Sequence, residues 1–355
     1  MASIPADGPM AIRYPQQREP VFHGVGDPMR RREFITLLGG AAAGWPLAAR
    51  AQQRSMPVIG VLISQTLGPF VDRLAAFHRG LKEGGFVEGA NLAVEYRFGE
   101  GHYDRLSALA ADLVRREVKV IAGLDTTAAV LAAKAATTTI PIVFAIGADP
   151  ISNRLVESLG HPGGNVTGVT AMSNALGPKR LGLLHDLLPK ASTVAVLINP
   201  TNPNAEPDVK ALQAAAASIG MTVKALSARN EREIDAFFAT LVREHIPAFI
   251  TSPDSLFVAR REQIAALATY NAIAGMSVNR IDVDAGWLVS YGSDQLGSWR
   301  PAGVYVSRVL KGEKPADLPV LQPTKFELVI NLKTAKAIGI TVPQDILSAA
   351  DEVLE

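Results

Sequence analysis

From Pro57 onward, short apolar runs alternate with amphipathic helical stretches, and the alternation runs through the chain twice. The first pass predicts a strand at residues 58–63, then a helix with Leu74, Phe77 and Leu81 on one face. It continues with an alternating strand at 91–98 and a helix placing Leu106, Leu109, Ala110 and Leu113 at i, i+3, i+4 and i+7. Strands at 120–122 and 142–146 flank an Ala-rich helix, and a glycine-flanked strand follows at 163–169. The second pass predicts helices at 179–188, 205–219, 231–244 and 256–270, interleaved with strands at 194–199, 222–226, 248–251 and 273–276. Strand–helix alternation of this kind requires parallel sheets covered by helices on both faces. Each pass is of ordinary lobe size. The remaining pieces, near 286–290, 294–310, 326–331 and 334–338, are too few for a third domain and read as crossings between lobes. The expected architecture is therefore α/β, with two doubly wound parallel-sheet lobes joined by a multi-strand hinge. Lobe 1 is expected at 57–168 plus about 286–320, and lobe 2 at 169–285 plus about 321–355. Such lobes make a hinged clamp that encloses a ligand.

The stretch at 119–150 carries the chemistry of the first lobe. Its turn, Gly123-Leu124-Asp125-Thr126-Thr127, links a strand to a helix and offers Asp125 or Thr126 as an N-cap. Free N–H groups at a helix start suit a carboxylate or phosphate. The next strand ends in Gly147-Ala148-Asp149-Pro150, so two loops fall side by side at the carboxyl edge of one sheet, where open α/β sheets bind ligands. The same rule nominates polar residues at other strand ends. The candidates are Ser64, Gln65, Thr126, Thr127, Asp149, Asn199, Asp254, Tyr291 and Asp294, with Ser252 beside them. Taken singly, each reads better as a cap or turn residue than as a ligand contact; as a set they converge on one cleft if the two sheets face each other. In the binding reading the helix start at Thr126 and Thr127 takes a carboxylate, Asp254 or Asp294 pairs an ammonium group, and apolar residues fill the remainder.

Several functions are excluded. The chain has no cysteine, which removes disulfides, thiolate metal sites and thiol nucleophiles. Its six histidines are scattered without metal-binding spacing and there is no P-loop, while the lack of a G-x-S-x-G elbow weakens a hydrolase reading without excluding one. Gly163-Gly164-Asn165-Val166-Thr167-Gly168 precedes its strand and lacks the spacing of a nucleotide loop. A formal net charge of +1 gives no field for nucleic acid. No cofactor, no metal and no catalytic residue is expected, and the chain reads as a non-enzyme.

Residues 29–51, MRRREFITLLGGAAAGWPLAARA, have a basic start, a short apolar middle and a small-residue cleavage site. Arg31-Arg32 ahead of a Gly- and Ala-rich run is similar to a twin-arginine export signal. Cleavage after Ala51 would leave a mature chain starting at Gln52 in the periplasm. Residues 1–28, polar and rich in Pro and Gly, read as a disordered, over-extended start.

These features, with GLKEGGFVEGANLAVEYRF (80–98), YDRLSALAADLVRREV (103–118), TTTIPIVF (137–144), HPGGNVTGVT (161–170), INPTNPNAE (198–206) and LKGEKPADLPVLQPTKFELVINLKTAKAIGITVP (310–343), closely resemble one family. It comprises ABC-transporter substrate-binding proteins related to tryptophan- and tyrosine-uptake binding proteins. The resemblance implies a type I periplasmic-binding-protein fold and a monomer capturing a small carboxylate-bearing solute, with an aromatic amino acid foremost. It also implies delivery to an inner-membrane ABC permease with its ATPase. A ligand-sensing subunit of the same fold is the alternative. At 123–127 the chain departs from the small Gly-rich loop of that pattern, so that Leu124 and Asp125 are expected to crowd the cleft or set a negative charge near a carboxylate.

Overall fold

The structure, a computed structural model, describes residues 56–293 and 295–355. The expected signal at 29–51, the segment before it and Asp294 lie outside the described residues. The first sheet is built from β1 (Val58–Ile63), α1 (Val71–Glu83), β2 (Ala93–Phe98), α2 (Leu106–Arg115), β3 (Val120–Leu124), α3 (Thr127–Ala136), β4 (Ile142–Ile146) and β5 (Val166–Thr170). The second is built from α4 (Gly177–Leu187), β6 (Thr193–Ile198), α5 (Ala205–Ser218), β7 (Thr222–Ser227), α6 (Glu231–Arg243), β8 (Ala248–Thr251), α7 (Ser255–Ala259), α8 (Arg261–Tyr270), β9 (Ala274–Ser277), α9 (Arg280–Asp284) and β10 (Val289–Ser293). The chain then forms α10 (Gln295–Leu310), β11 (Phe326–Asn331), α11 (Leu332–Ala337), α12 (Gln344–Ala349) and β12 (Glu352–Leu354).

The strand order is β2-β1-β3-β4-β5 in one lobe and β12-β11-β10-β9-β8-β6-β7 in the other. The first sheet is wholly parallel, and the second is parallel except where β10 meets β11. Strands covered on both faces need apolar residues at every position, and β1, β3 and β4 show this. Ile59, Val61 and Ile63 enter one core cluster with Val120, Ala122 and Leu124, while Leu62 and Ile121 enter the cluster on the opposite face. The second sheet is likewise clad on both sides.

The described residues differ from expectation in three places. Val289–Ser293, expected to return to the first lobe, pairs with β9 and β11 in the second sheet, because Leu288 and Val289 complete that lobe's core. The single helix expected at 256–270 is broken at Arg260 into α7 and α8. The last residues add a strand beside β11. After β10, α10 packs on the first lobe, burying Trp299, Ala302, Tyr305 and Val306 with Phe70 and Phe77. Two glycines permit the close approach of α1 and α10. A Cβ at Gly80 would lie 2.0 Å from the Arg300 carbonyl oxygen, and one at Gly303 would lie 2.1 Å from that of Phe77.

Candidate ligand cleft

In each sheet the order reverses direction once, between β1 and β3 in the first and between β6 and β8 in the second. Loops leave such a switch point in opposite directions and open a crevice at the carboxyl ends of the strands. The two crevices face each other. Between them lies a small cavity, whose walls include Phe70, Arg73, Asp125, Thr126 and Thr127 from the first lobe. Asn202, Asn204, Asp254, Ser255, Val258 and Asn279 come from the second, and Asn174 from the segment that joins them.

On the first side, β3 ends at Leu124, and Asp125 adopts φ +82°, a left-handed conformation that Asp tolerates better than most residues. This reversal turns its carboxylate back to β1, where the Ser64 N–H reaches both oxygens at 3.2 and 3.1 Å and the Ser64 hydroxyl donates at 2.6 Å. Leu124 does not crowd the cleft: it is fully buried in the core, because alternation along β3 sends it to the same packed face as Val120 and Ala122. Burial drives the Asp125 carboxyl up to about 7, against the Ser64 and Thr126 hydrogen bonds that favour its charge, and the Asp254 carboxylate pushes it further up. Thr126, the N-cap of α3, accepts from the Ala129 N–H at 3.3 Å, and Thr127 opens the helix.

On the second side, Asp254 caps α7. Its Oδ1 accepts from the Leu256 N–H at 2.8 Å and from Asn199 at 3.3 Å, and its Oδ2 accepts from Asn202 at 2.8 Å and from the Tyr103 hydroxyl at 2.9 Å. An ionised carboxylate has about four acceptor positions, so Asp254 is saturated by protein donors. Burial raises its pKa in spite of them. The Tyr103 hydroxyl is raised as well, by burial first and then by the Asp254 charge.

The lobes touch directly across the cleft. Ser64 and Ser255 hydroxyls lie 2.9 Å apart, Asn204 donates to the Thr127 hydroxyl at 3.0 Å, and Arg73 donates to Asn279 at 3.3 Å. One proton per hydroxyl fixes the direction: Ser255 donates to Ser64, which donates to Asp125, while Tyr103 donates to Asp254. Arg73 also lies over the Phe70 ring, 5.4 Å from its centroid. Behind Asn279, Asp282 accepts from Ser277 and Asn279, and burial raises its carboxyl to about 6.

Of the residues nominated from sequence, Thr126, Thr127 and Asp254 line the cavity, while Ser64 and Asn199 stand directly behind its two aspartates. Gln65 is buried beside Gly101, outside the cavity wall. Asp149 caps its own turn through the Ile151 N–H and the Ser152 hydroxyl. The Tyr291 ring lies by Phe326, and its carbonyl accepts from Arg180, away from the wall. Ser252 donates to Asp208, which also holds Asn174. Sequence reasoning missed Phe70, Arg73, Tyr103, Asn174 and Ser255, which sit on helices or short 3-10 turns, and also Asn279, which follows the end of β9 and stands at the N-cap of α9. Asn202 and Asn204 had a signal, the Asn- and Pro-rich run after β6. Among the described residues no group of His, Asp or Glu is placed to hold a metal ion.

Two parallel-dominated lobes meeting over a polar cleft at paired switch points define a solute-binding protein of the type I periplasmic-binding-protein fold. The family model of ABC transporter substrate binding proteins matches residues 70–354, and the chain belongs to that family. It is a family of binding proteins, not enzymes. Among its relatives, a tyrosine-binding protein of Clostridioides difficile is 28% identical over 264 residues, 74% of this chain and 75% of the relative. A Streptococcus pneumoniae ABC domain solved in complex with L-Trp superposes with TM-score 0.75 at 26% identity, covering 84% of this chain and all of the other. A conserved domain protein from Vibrio cholerae superposes with TM-score 0.77, also at 26% identity and with the same coverage.

Proposed function

We propose that this chain is the periplasmic solute-binding component of an ABC uptake transporter, a monomer that captures a small carboxylate-bearing solute between its lobes and delivers it to the permease and ATPase. An aromatic amino acid is the ligand the relatives favour, since one is named for binding tyrosine and another holds L-Trp. The observation that carries the reading is the cavity enclosed between the two switch points, with donors and acceptors on both walls. The start of α3 at Thr126 and Thr127 takes the ligand carboxylate, where unpaired helix N–H groups and the macrodipole favour negative charge. Phe70, Val258 and Val278 supply apolar surface for a ring. As in its family of binding proteins, capture and release are the task of the cleft, and closure of the lobes excludes water from the bound solute.

The test is a thermal-unfolding series on protein that has been denatured and refolded to strip carried ligand. A solute that binds only the folded chain, present at ~100 times its Kd, adds about 2.7 kcal/mol. Tyrosine, phenylalanine or tryptophan is expected to raise Tm clearly. A rise with unrelated sugars or cations and none with any carboxylate would reject this ligand class.

A further inference from the structure

We propose that Asp125 is the residue that recognises the ligand's amino group, so that the cleft selects α-amino acids over the corresponding carboxylic acids. This rests on the reading of the α3 start as the carboxylate site. An α-amino acid carries both charges on one carbon, so the groups that bind them must be immediate neighbours. Asp125, Thr126 and Thr127 are consecutive, and all three line the cavity.

The choice between the two cleft aspartates follows from counting donors. Asp254 has both oxygens filled, two donors to each, all from the protein. An ammonium group there would have to displace one of them. Asp125 is served by the Ser64 hydroxyl, by a Ser64 N–H split between its oxygens, and by the Thr126 N–H. Three donors for about four acceptor positions leave one free. Ser64 therefore fixes the carboxylate in place without saturating it. A positive φ at Asp125 turns the carboxylate out of the path of the helix that follows, so that one residue can stand beside the helix start without capping it. Burying a carboxylate that keeps an open acceptor position is costly unless a donor arrives, and a ligand ammonium supplies both the donor and the opposite charge.

The experiment is isothermal titration of the stripped, refolded protein with L-tyrosine and L-tryptophan and with their des-amino counterparts, 3-(4-hydroxyphenyl)propionate and 3-(indol-3-yl)propionate. Wild type, Asp125→Asn and Asp254→Asn are compared. Asn accepts a positive φ and keeps one acceptor oxygen for Ser64, so the first variant preserves the turn. Wild type is expected to prefer an amino acid over its des-amino form by at least about tenfold, the worth of one charge-assisted pair. Asp125→Asn is expected to lose that preference while still binding the des-amino acid, and Asp254→Asn is expected to keep it. Wild type binding the two forms equally overturns the assignment without needing any variant. So does an unchanged preference in Asp125→Asn, or its loss only in Asp254→Asn, and in these cases solute capture stands. Binding of none of the four compounds removes the carboxylate-solute reading and this assignment together.

Discussion

At Asp125, one residue's charge is set against its burial, and the consequence is a defined pH dependence. Its carboxyl stays protonated up to about pH 7 in the folded chain, but only up to about pH 4 in the unfolded one. Between these values the folded chain holds the extra proton, so the contribution of this residue to stability falls as pH rises from about 4 to about 7 and is flat outside that window. We expect Asp125→Asn to lose less Tm than wild type between pH 4 and pH 7 in the ligand-free protein, with a difference of about 1–4 kcal/mol across the window. Parallel curves for the two proteins would mean that Asp125 titrates normally. At the same scale, Thr126→Ala removes the N-cap of α3 and should cost about 1 kcal/mol in urea unfolding. Much of this was legible in the sequence: a strand end followed by Asp-Thr-Thr and an Ala-rich run reads as a cap and an anion site. The orientation of Asp125 was not legible, because it depends on Ser64, 61 residues away.

Among the elements, glycine behaves in opposite ways depending on what lies across from it. Gly80 and Gly303 sit where α1 and α10 pass so closely that a Cβ would strike the facing backbone. Gly80→Ala should therefore destabilise by about 1–3 kcal/mol, the usual cost of overpacking, despite the higher helix propensity of Ala. Gly182, within α4, has open space around it, so Gly182→Ala should stabilise by about 1 kcal/mol. Chemical denaturation of both variants checks the contrast; two changes of the same sign would mean that propensity alone decides. The helices themselves were readable from their periodicity, for instance Leu74, Phe77 and Leu81 on α1, all buried. Their partners were not. Nothing in the local pattern of residues 295–310 says that this helix crosses back to pack against one more than 200 positions earlier.

At the largest scale, the two lobes within residues 56–355 are closed on each other. Tyr103 to Asp254, Ser64 to Ser255, Asn204 to Thr127 and Arg73 to Asn279 tie one lobe to the other. Each such bond contributes about 0.5–1.5 kcal/mol net, so together they are comparable to the few kcal/mol that separate open from closed states in hinged proteins. Tyr103→Phe removes one tie and should shift the ligand-free equilibrium toward the open form by about fivefold, near 1 kcal/mol. Energy transfer between dyes on the two lobes would report this, and an unchanged distribution would show that Tyr103 does not contribute to closure.

The sequence by itself determined the α/β class, the two passes of strand and helix and the carboxyl-edge loops, because periodicity and strand-end chemistry are local properties carried by neighbouring residues. It also marked Thr126, Thr127 and Asp254, each recognisable as a polar residue between a strand and a helix. Only the tertiary structure decided which of the nominated residues share a wall. Gln65, Asp149 and Tyr291 have the same local character as those that line the cleft, yet they point their chemistry elsewhere. Arg73 and Tyr103 entered the site from a helix and a 3-10 turn whose local sequence resembles ordinary surface, and Asn279 from the loop after β9. What separates the two groups is the order of strands within each sheet and the closure of one sheet over the other, and these are fixed by packing between residues far apart in the chain.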